Sequence, residues 1–307
     1  MEPDHAASIQ ALVEAYPDIQ IVGNAKTFTM IGQFFDLDIA GRTLPVKEGD
    51  TLELGTHTLQ FFMAPMVHWP EVMVTYESTE KVLFSADAFG KFGALDAEED
   101  WACEARRYYF NIVGKYGAQA QSLLKKAAGL DIQIICPLHG PILKENLEYY
   151  IGKYNTWSSY EPEDKGIFIA YASIYGNTKK AALKLADLLR AAGAEKVSMA
   201  DLARDDMAEA LEDAFRYDRM VLAAPTYDGG IFPCMEEFLQ HLKGKNYQKR
   251  TVGIIENGSW APASGRLMKA ALEAMKGIIV VEPVVSIKSS MKEATLAQLE
   301  ELVKALV

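Results

Sequence analysis

Cysteine is scarce in this chain: Cys103, Cys136 and Cys234 are the only three in 307 residues, and they are scattered. That excludes a disulfide framework and a paired-thiolate zinc site, and it suits a reducing compartment. Long apolar runs are absent, and the opening residues MEPDHAAS lack the basic and apolar regions of a secretory leader. Basic residues are outnumbered: 31 Lys and Arg stand against 42 Asp and Glu, a net charge of −11. This charge argues against nucleic acid and against anionic membrane surfaces as partners. The expectation is a cytoplasmic protein that engages neither. What is there is 50% hydrophobic and 24% charged, the balance of a soluble globular protein, with length for about two separate cores.

The acidic excess is uneven. Residues 1–165 carry 13 basic and 24 acidic side chains, whereas residues 166–307 carry 18 of each. The acidic half also holds four of the five histidines, His5, His57, His68 and His139. A carboxylate-rich surface is ordinarily a solvated one, but carboxylates beside imidazoles can also hold hard cations.

The polar stretch Ser158–Lys165, with Pro162, precedes the fresh apolar run GIFIAYAS and reads as a linker, residues 158–165. Downstream, over 166–307, strand-like and helix-like stretches alternate five times: strands at Ile167–Tyr171, Lys196–Met199, Arg219–Ala223, Thr251–Glu256 and Ile278–Ser286, each followed by a helix. That rhythm predicts an α/β domain with a doubly wound parallel sheet. Upstream, residues 1–157 read as mixed α/β: a helix near Ser8–Tyr16, a strand near Ile19–Val22 and several strands within Thr43–Ser85. Helices follow at about Glu98–Lys115 and Ala118–Ala128, then a strand, Ile132–Cys136, running into Pro137-Leu-His-Gly140.

Three loops of the second half fall at the carboxyl ends of strands. Ser173-Ile-Tyr-Gly-Asn-Thr178 opens a helix, where hydroxyls, backbone N–H groups and the helix dipole make an anion cradle. It matches neither a P-loop nor a G-x-G-x-x-G fingerprint. Ser173 and Asn177 as mere caps would explain this hexapeptide alone. Ala224-Pro-Thr-Tyr-Asp-Gly-Gly-Ile231 and Glu256-Asn-Gly-Ser-Trp-Ala261 add Tyr227 and Trp260, aromatics placed to stack on a planar ring. Together the three loops resemble the flavodoxin family over residues 166–307. The resemblance implies FMN, with Ser173, Tyr175, Gly176, Asn177 and Thr178 around its phosphate. Around its ring it implies Pro225, Thr226, Tyr227, Gly229, Asn257, Gly258 and Trp260.

In the first half, Glu2, Asp4 and His5 lie within four residues, His68 sits in Met66-Val-His-Trp-Pro70, Asp87 follows Val82-Leu-Phe-Ser-Ala86, and His139 follows a strand. Each alone has an ordinary structural explanation. As a set, imidazole with carboxylate suits a pair of redox-active irons better than zinc. His57, in a hairpin-like Gly55-Thr-His-Thr58, is set apart. The set resembles the metallo-β-lactamase-like domain of the flavodiiron proteins, where the hydrolases' HxHxDH becomes HxExDH; here Glu2-Pro-Asp4-His5 supplies ExDH.

By that resemblance Glu2 and His68 bind one iron, Asp4 and His139 the other, and Asp87 bridges them, with His5 a variable ligand. Tyr108, Tyr109 and Trp69 are expected near the metals. The motif's first histidine would fall one position before Met1, so the expectation is an αββα metallo-β-lactamase-like domain truncated at its N-terminus. The implied activity passes electrons from rubredoxin or a rubredoxin-like donor through FMN to the non-haem diiron site. There O2 is reduced to water or NO to N2O, in a head-to-tail homodimer. Two other readings compete. One is a flavodoxin-type electron carrier with a non-functional metal domain. The other is a zinc hydrolase, against which Glu2 speaks, because zinc would favour imidazole there.

Overall fold

The computed structural model describes residues 1–97 and 99–307. The chain divides into two compact units, Met1–Ser159 and Tyr160–Val307.

The first unit is built on a five-stranded sheet whose order follows the chain: β3 (Thr51–Glu53), β4 (Thr58–Met63), β5 (Met73–Glu77), β6 (Val82–Phe84) and β7 (Ile134–Cys136), after β1 (Ile21–Gly23) and β2 (Thr43–Pro45). The strands β3 to β6 pair antiparallel, β6 and β7 pair parallel, and β1 and β2 form a separate parallel pair. The parallel step matters most for function, because it sets the loops after Phe84 and Cys136 side by side at one end of the sheet. Val74, Tyr76, Leu83 and Ile135 bury one side of the sheet, Phe61 is buried on the other, and helices Trp101–Tyr108 and Leu147–Ser158 contribute Ala105, Tyr154 and Trp157 to the core.

Besides the single turn Pro3–Ala6, two helices among the described residues of this unit were not expected. Ala25–Phe34 begins at Asn24, whose side-chain oxygen accepts from Lys26 N at 3.0 Å and Thr27 N at 3.2 Å. Its threonines and glycine weakened the periodicity, and the cap outweighs them. Leu147–Ser158 reaches the start of the expected linker, and the next strand begins at Asp164, so residues 159–163 alone connect helix to strand. The helix expected over Glu98–Lys115 is shorter. Its first residue, Glu98, lies outside the described residues; the helix runs Trp101–Tyr108 behind the Asp100 cap and widens into a π turn, Tyr109–Val113.

The second unit matches the predicted doubly wound sheet. Its parallel strands are β8 (Asp164–Tyr171), β9 (Val197–Asp201), β10 (Tyr217–Tyr227), β12 (Thr251–Asn257), β13 (Ile279–Val280) and β14 (Val285–Ile287), with β11 (Gly230–Ile231) an antiparallel appendage of β10. The order β9-β8-β10-β12, with β13 and β14 both on β12, reverses direction beside β8, as in flavodoxin-like sheets. The expected fifth strand is split, because Pro283 has no N–H to donate to a ladder. Buried Ile169, Val221, Ile255 and Val285 pack against Leu185, Leu189, Leu299 and Leu302 of the helices on one face. The near-continuous apolar strands are those of a sheet covered on both faces.

Candidate functional site

The first unit gathers every residue singled out for metal binding. Pro3 starts a one-turn helix, Pro3–Ala6, with Glu2 at its cap, so that Glu2, Asp4 and His5 project from one tight turn. His68 follows Met66, and Asp87 lies between Ala86 and Phe89; these three neighbours adopt left-handed backbone at φ 66°, 52° and 67°. Such conformations cost about 1–3 kcal/mol each in non-glycine residues, so surrounding bonds must hold them. They do: Leu138 N donates to Ala86 O at 2.9 Å, Met66 N to Trp69 O at 2.8 Å, and the Ser85 hydroxyl to Ala88 O at 2.7 Å. His139 sits on the neighbouring loop. Gly140, at φ +87°, follows it where a Cβ would lie 2.9 Å from Lys91 Cγ, so only glycine fits without displacement.

Buried Asp87 lies at the centre. Its Oδ1 is 2.9 Å from His5 Nε2 and 3.7 Å from His139 Nε2, while its Oδ2 is 3.8 Å from His68 Nε2. Glu2 pairs with His68 at 2.8 Å, and Asp4 with His139 at 3.2 Å. Thus two carboxylate–imidazole pairs flank one carboxylate that offers an oxygen toward each. His5 belongs with Asp4 and His139, its Nε2 3.4 Å from Asp4 Oδ1. Three imidazoles and three carboxylates at these separations fit hard or borderline divalent and trivalent cations. The half-exposed Asp4 carboxylate marks the open side of the cluster.

Tyr108 donates its hydroxyl to Asp87 Oδ1 at 3.2 Å. Burial, then the Asp87 charge, pushes the Tyr108 pKa far up, so it stays a neutral donor that fixes the central carboxylate. Tyr109 packs instead against Phe110, Tyr154 and Trp157, and Trp69 against Phe34. His57 lies apart, 3.3 Å from Glu77 in the β3–β4 turn region.

In the second unit, a cavity of about 540 Å³ opens at the carboxyl ends of β8, β10 and β12. Ser173, Tyr175, Asn177, Thr178, Pro225, Thr226, Tyr227, Gly229, Asn257, Gly258 and Trp260 line it, and Gly176 caps the helix Asn177–Ala191. The volume is that of a cofactor pocket. Ser173 Oγ accepts from Gly176 N at 3.1 Å, which leaves its own proton to donate. Among the described residues no lysine or arginine lines the cavity, so an anion would be held by hydroxyls, backbone N–H groups and the helix N-terminus. Asp228 and Gly229 both have positive φ, 47° and 73°, the signature of a two-residue hairpin turn between β10 and β11. Trp260 and Tyr175 are 92% and 90% exposed, and Tyr227 is 47% exposed with its ring edge on Phe232.

Ser289 was missed by sequence reading, together with Ile174, Asp228, Ser259 and Ala261. Ser289 comes from the loop after β14, and the signal available for it was the polar Lys288-Ser-Ser290 at the carboxyl end of a fifth strand.

The fold and these two sites define a β-lactamase-like metal domain joined to a flavodoxin-like domain. Comparison with known proteins agrees: residues 1–140 match the ODP family beta lactamase and residues 168–275 a flavodoxin domain. The rubredoxin-oxygen oxidoreductase of Megalodesulfovibrio gigas is 28% identical, over all of this chain and 78% of its own. A nitric oxide reductase of Moorella thermoacetica is 29% identical, over 92% of this chain and 72% of its own. In structure, rubredoxin oxygen:oxidoreductase from Desulfovibrio gigas superposes with a TM-score of 0.89 at 28% identity, covering 98% of this chain and 77% of that one. The chain thus pairs a beta-lactamase domain with a flavodoxin domain and is similar over its whole length to rubredoxin-oxygen oxidoreductase, a flavodiiron protein.

Proposed function

We propose that this protein is an oxidoreductase that takes electrons from a rubredoxin-like donor onto FMN and delivers them to a non-haem diiron centre, reducing O2 to water, NO to N2O, or both. The observation that carries this reading is Asp87, which presents one oxygen to His5 and His139 and the other to the Glu2–His68 pair. Glu2 and His68 would hold one iron, Asp4, His139 and His5 the other, with Asp87 between. Bound there, the irons would supply paired one-electron chemistry, and FMN would supply exchange of one or two electrons.

The chain's own residues do the rest. Tyr108 holds Asp87 in orientation as a neutral donor. The open side beside Asp4 admits a small diatomic substrate. In the second unit, Tyr227 and Trp260 present rings for stacking, while Ser173 and Thr178 present hydroxyls to the phosphate. The names of the relatives support the choice of substrates and of a rubredoxin-like donor. A cytoplasmic, head-to-tail homodimer, in which one subunit's FMN serves its partner's irons, completes the proposal; electron tunnelling requires such closeness.

The test is iron and FMN per chain, measured on one anaerobically purified sample, followed by O2 and NO consumption. Two irons and one FMN with turnover of either gas are expected. FMN without iron would leave only an electron carrier, and bound zinc with esterase activity would make it a hydrolase.

A further inference from the structure

We infer that Asn257 offers the flavin no side-chain hydrogen bond but is the positioning residue that makes the pocket select the phosphorylated cofactor. The inference rests on the flavin reading above. Asn257 ends β12 and is nearly buried. Its carboxamide is committed to the protein: Oδ1 accepts from Ser289 N at 3.0 Å, and Nδ2 donates to Ser289 O at 3.0 Å and to Thr178 Oγ1 at 3.4 Å. An amide nitrogen has two hydrogens, and both are spent. No side-chain donor remains for a ring.

The two ends of this clamp have different consequences. Ser289 is a non-glycine residue at φ +67°, a conformation that the two-point grip of Asn257 holds, with the Ser289 hydroxyl 2.5 Å from that of Ser259 in the Trp260 loop. Thr178 lies at the second position of the helix Asn177–Ala191, 2% exposed, in the cradle that opens that helix. Because its oxygen accepts from Asn257, its proton must point elsewhere, and among the described residues the structure gives that proton no acceptor. The cavity is where it can go. Asn257 therefore occupies one lone pair of the Thr178 oxygen and leaves its proton for the anion, while tying the ring loop to the same point.

The test titrates full-length apo-protein with FMN and with riboflavin, reading flavin fluorescence, for wild type, Asn257→Ala, Thr178→Val, Thr178→Ser and the Asn257→Ala/Thr178→Val double variant. A hydrogen bond to a charged phosphate is worth on the order of tenfold or more in affinity. The FMN-to-riboflavin affinity ratio should fall by that factor in Asn257→Ala and in Thr178→Val. It should fall no further in the double variant, because the two residues act through one hydroxyl, and Thr178→Ser should keep the wild-type ratio.

Equal weakening of both flavins in Asn257→Ala, an unchanged ratio, or additive losses would overturn the inference. If Asn257→Ala does not fold, the ratio in Thr178→Val against Thr178→Ser decides: a fall in the first alone supports the aimed hydroxyl, and no fall refutes it. Wild-type protein that binds neither flavin would refute the flavin reading itself, a separate outcome.

Discussion

Replacing Trp260 with alanine separates ligand binding from folding, because the indole is 92% exposed and its removal takes no packing from the protein. Surface substitutions of this kind alter stability by no more than about 0.5 kcal/mol. If the ring instead stacks on a flavin, its loss costs about 1–3 kcal/mol of binding, or roughly 5- to 150-fold in Kd. The same change then appears in the loaded protein through linkage: at saturating FMN, each tenfold loss of affinity removes about 1.4 kcal/mol of protection against unfolding. The assay is a pair of urea melts, without and with FMN, plus a fluorescence titration of the apo-protein. Apo stability should match wild type while Kd rises. An unchanged Kd would refute the stacking role, and a destabilised apo-protein would show that the indole packs after all.

The other predictions concern the two units separately. Asp87→Asn keeps the shape that Tyr108 bonds to but removes the charge at the centre of the cluster, so iron per chain, read by elemental analysis, should fall by at least half; full occupancy would show that the carboxylate is not needed. Arg250, 2% exposed, donates to Phe215 O, Tyr217 O and Tyr160 O at 2.6–2.8 Å. Arg250→Met should therefore destabilise the second unit by about 3 kcal/mol or more in chemical unfolding, and a loss under 1 kcal/mol would refute this, both figures being on the scale of broken buried networks.

Glu77 gives a pH test. Burial opposes its charged form, yet amide donation from Glu80 and Thr79 outweighs that and brings its pKa from 4.5 down to about 2. A depressed folded pKa means the carboxylate's contribution is complete above pH 4.5 and fades as the pH falls toward 2. Melting temperature should decline across that window in wild type and less steeply in Glu77→Gln; parallel curves would contradict the assignment.

The second unit was readable in sequence because its main strands are apolar and alternate with helices, so local periodicity and the strand-to-helix rhythm carry the topology. The three cavity loops were readable for the same reason: loops at the carboxyl ends of parallel strands converge whatever the details. The first unit was less legible. Ala25–Phe34 depends on a cap at Asn24 that competes with weak helix formers, and the helix over Trp101–Tyr108 changes to a π turn at Tyr109 where tertiary packing takes over.

The residue types at Glu2, Asp4, His5, His68, Asp87 and His139 were fixed by sequence, and their chemistry pointed to a hard-cation site. Only the fold brought together residues separated by up to 137 positions, because the parallel pairing of β6 with β7 sets Asp87 beside His139. Likewise, Asn257 reads in sequence as one more polar loop residue near a ring. Its three hydrogen bonds to Ser289 and Thr178 exist only once β8, β12 and β14 lie in register. A local pattern can state which donors and acceptors a chain possesses. Which of them are already satisfied within the protein, and which remain to meet a ligand, is decided by long-range pairing that no local pattern encodes.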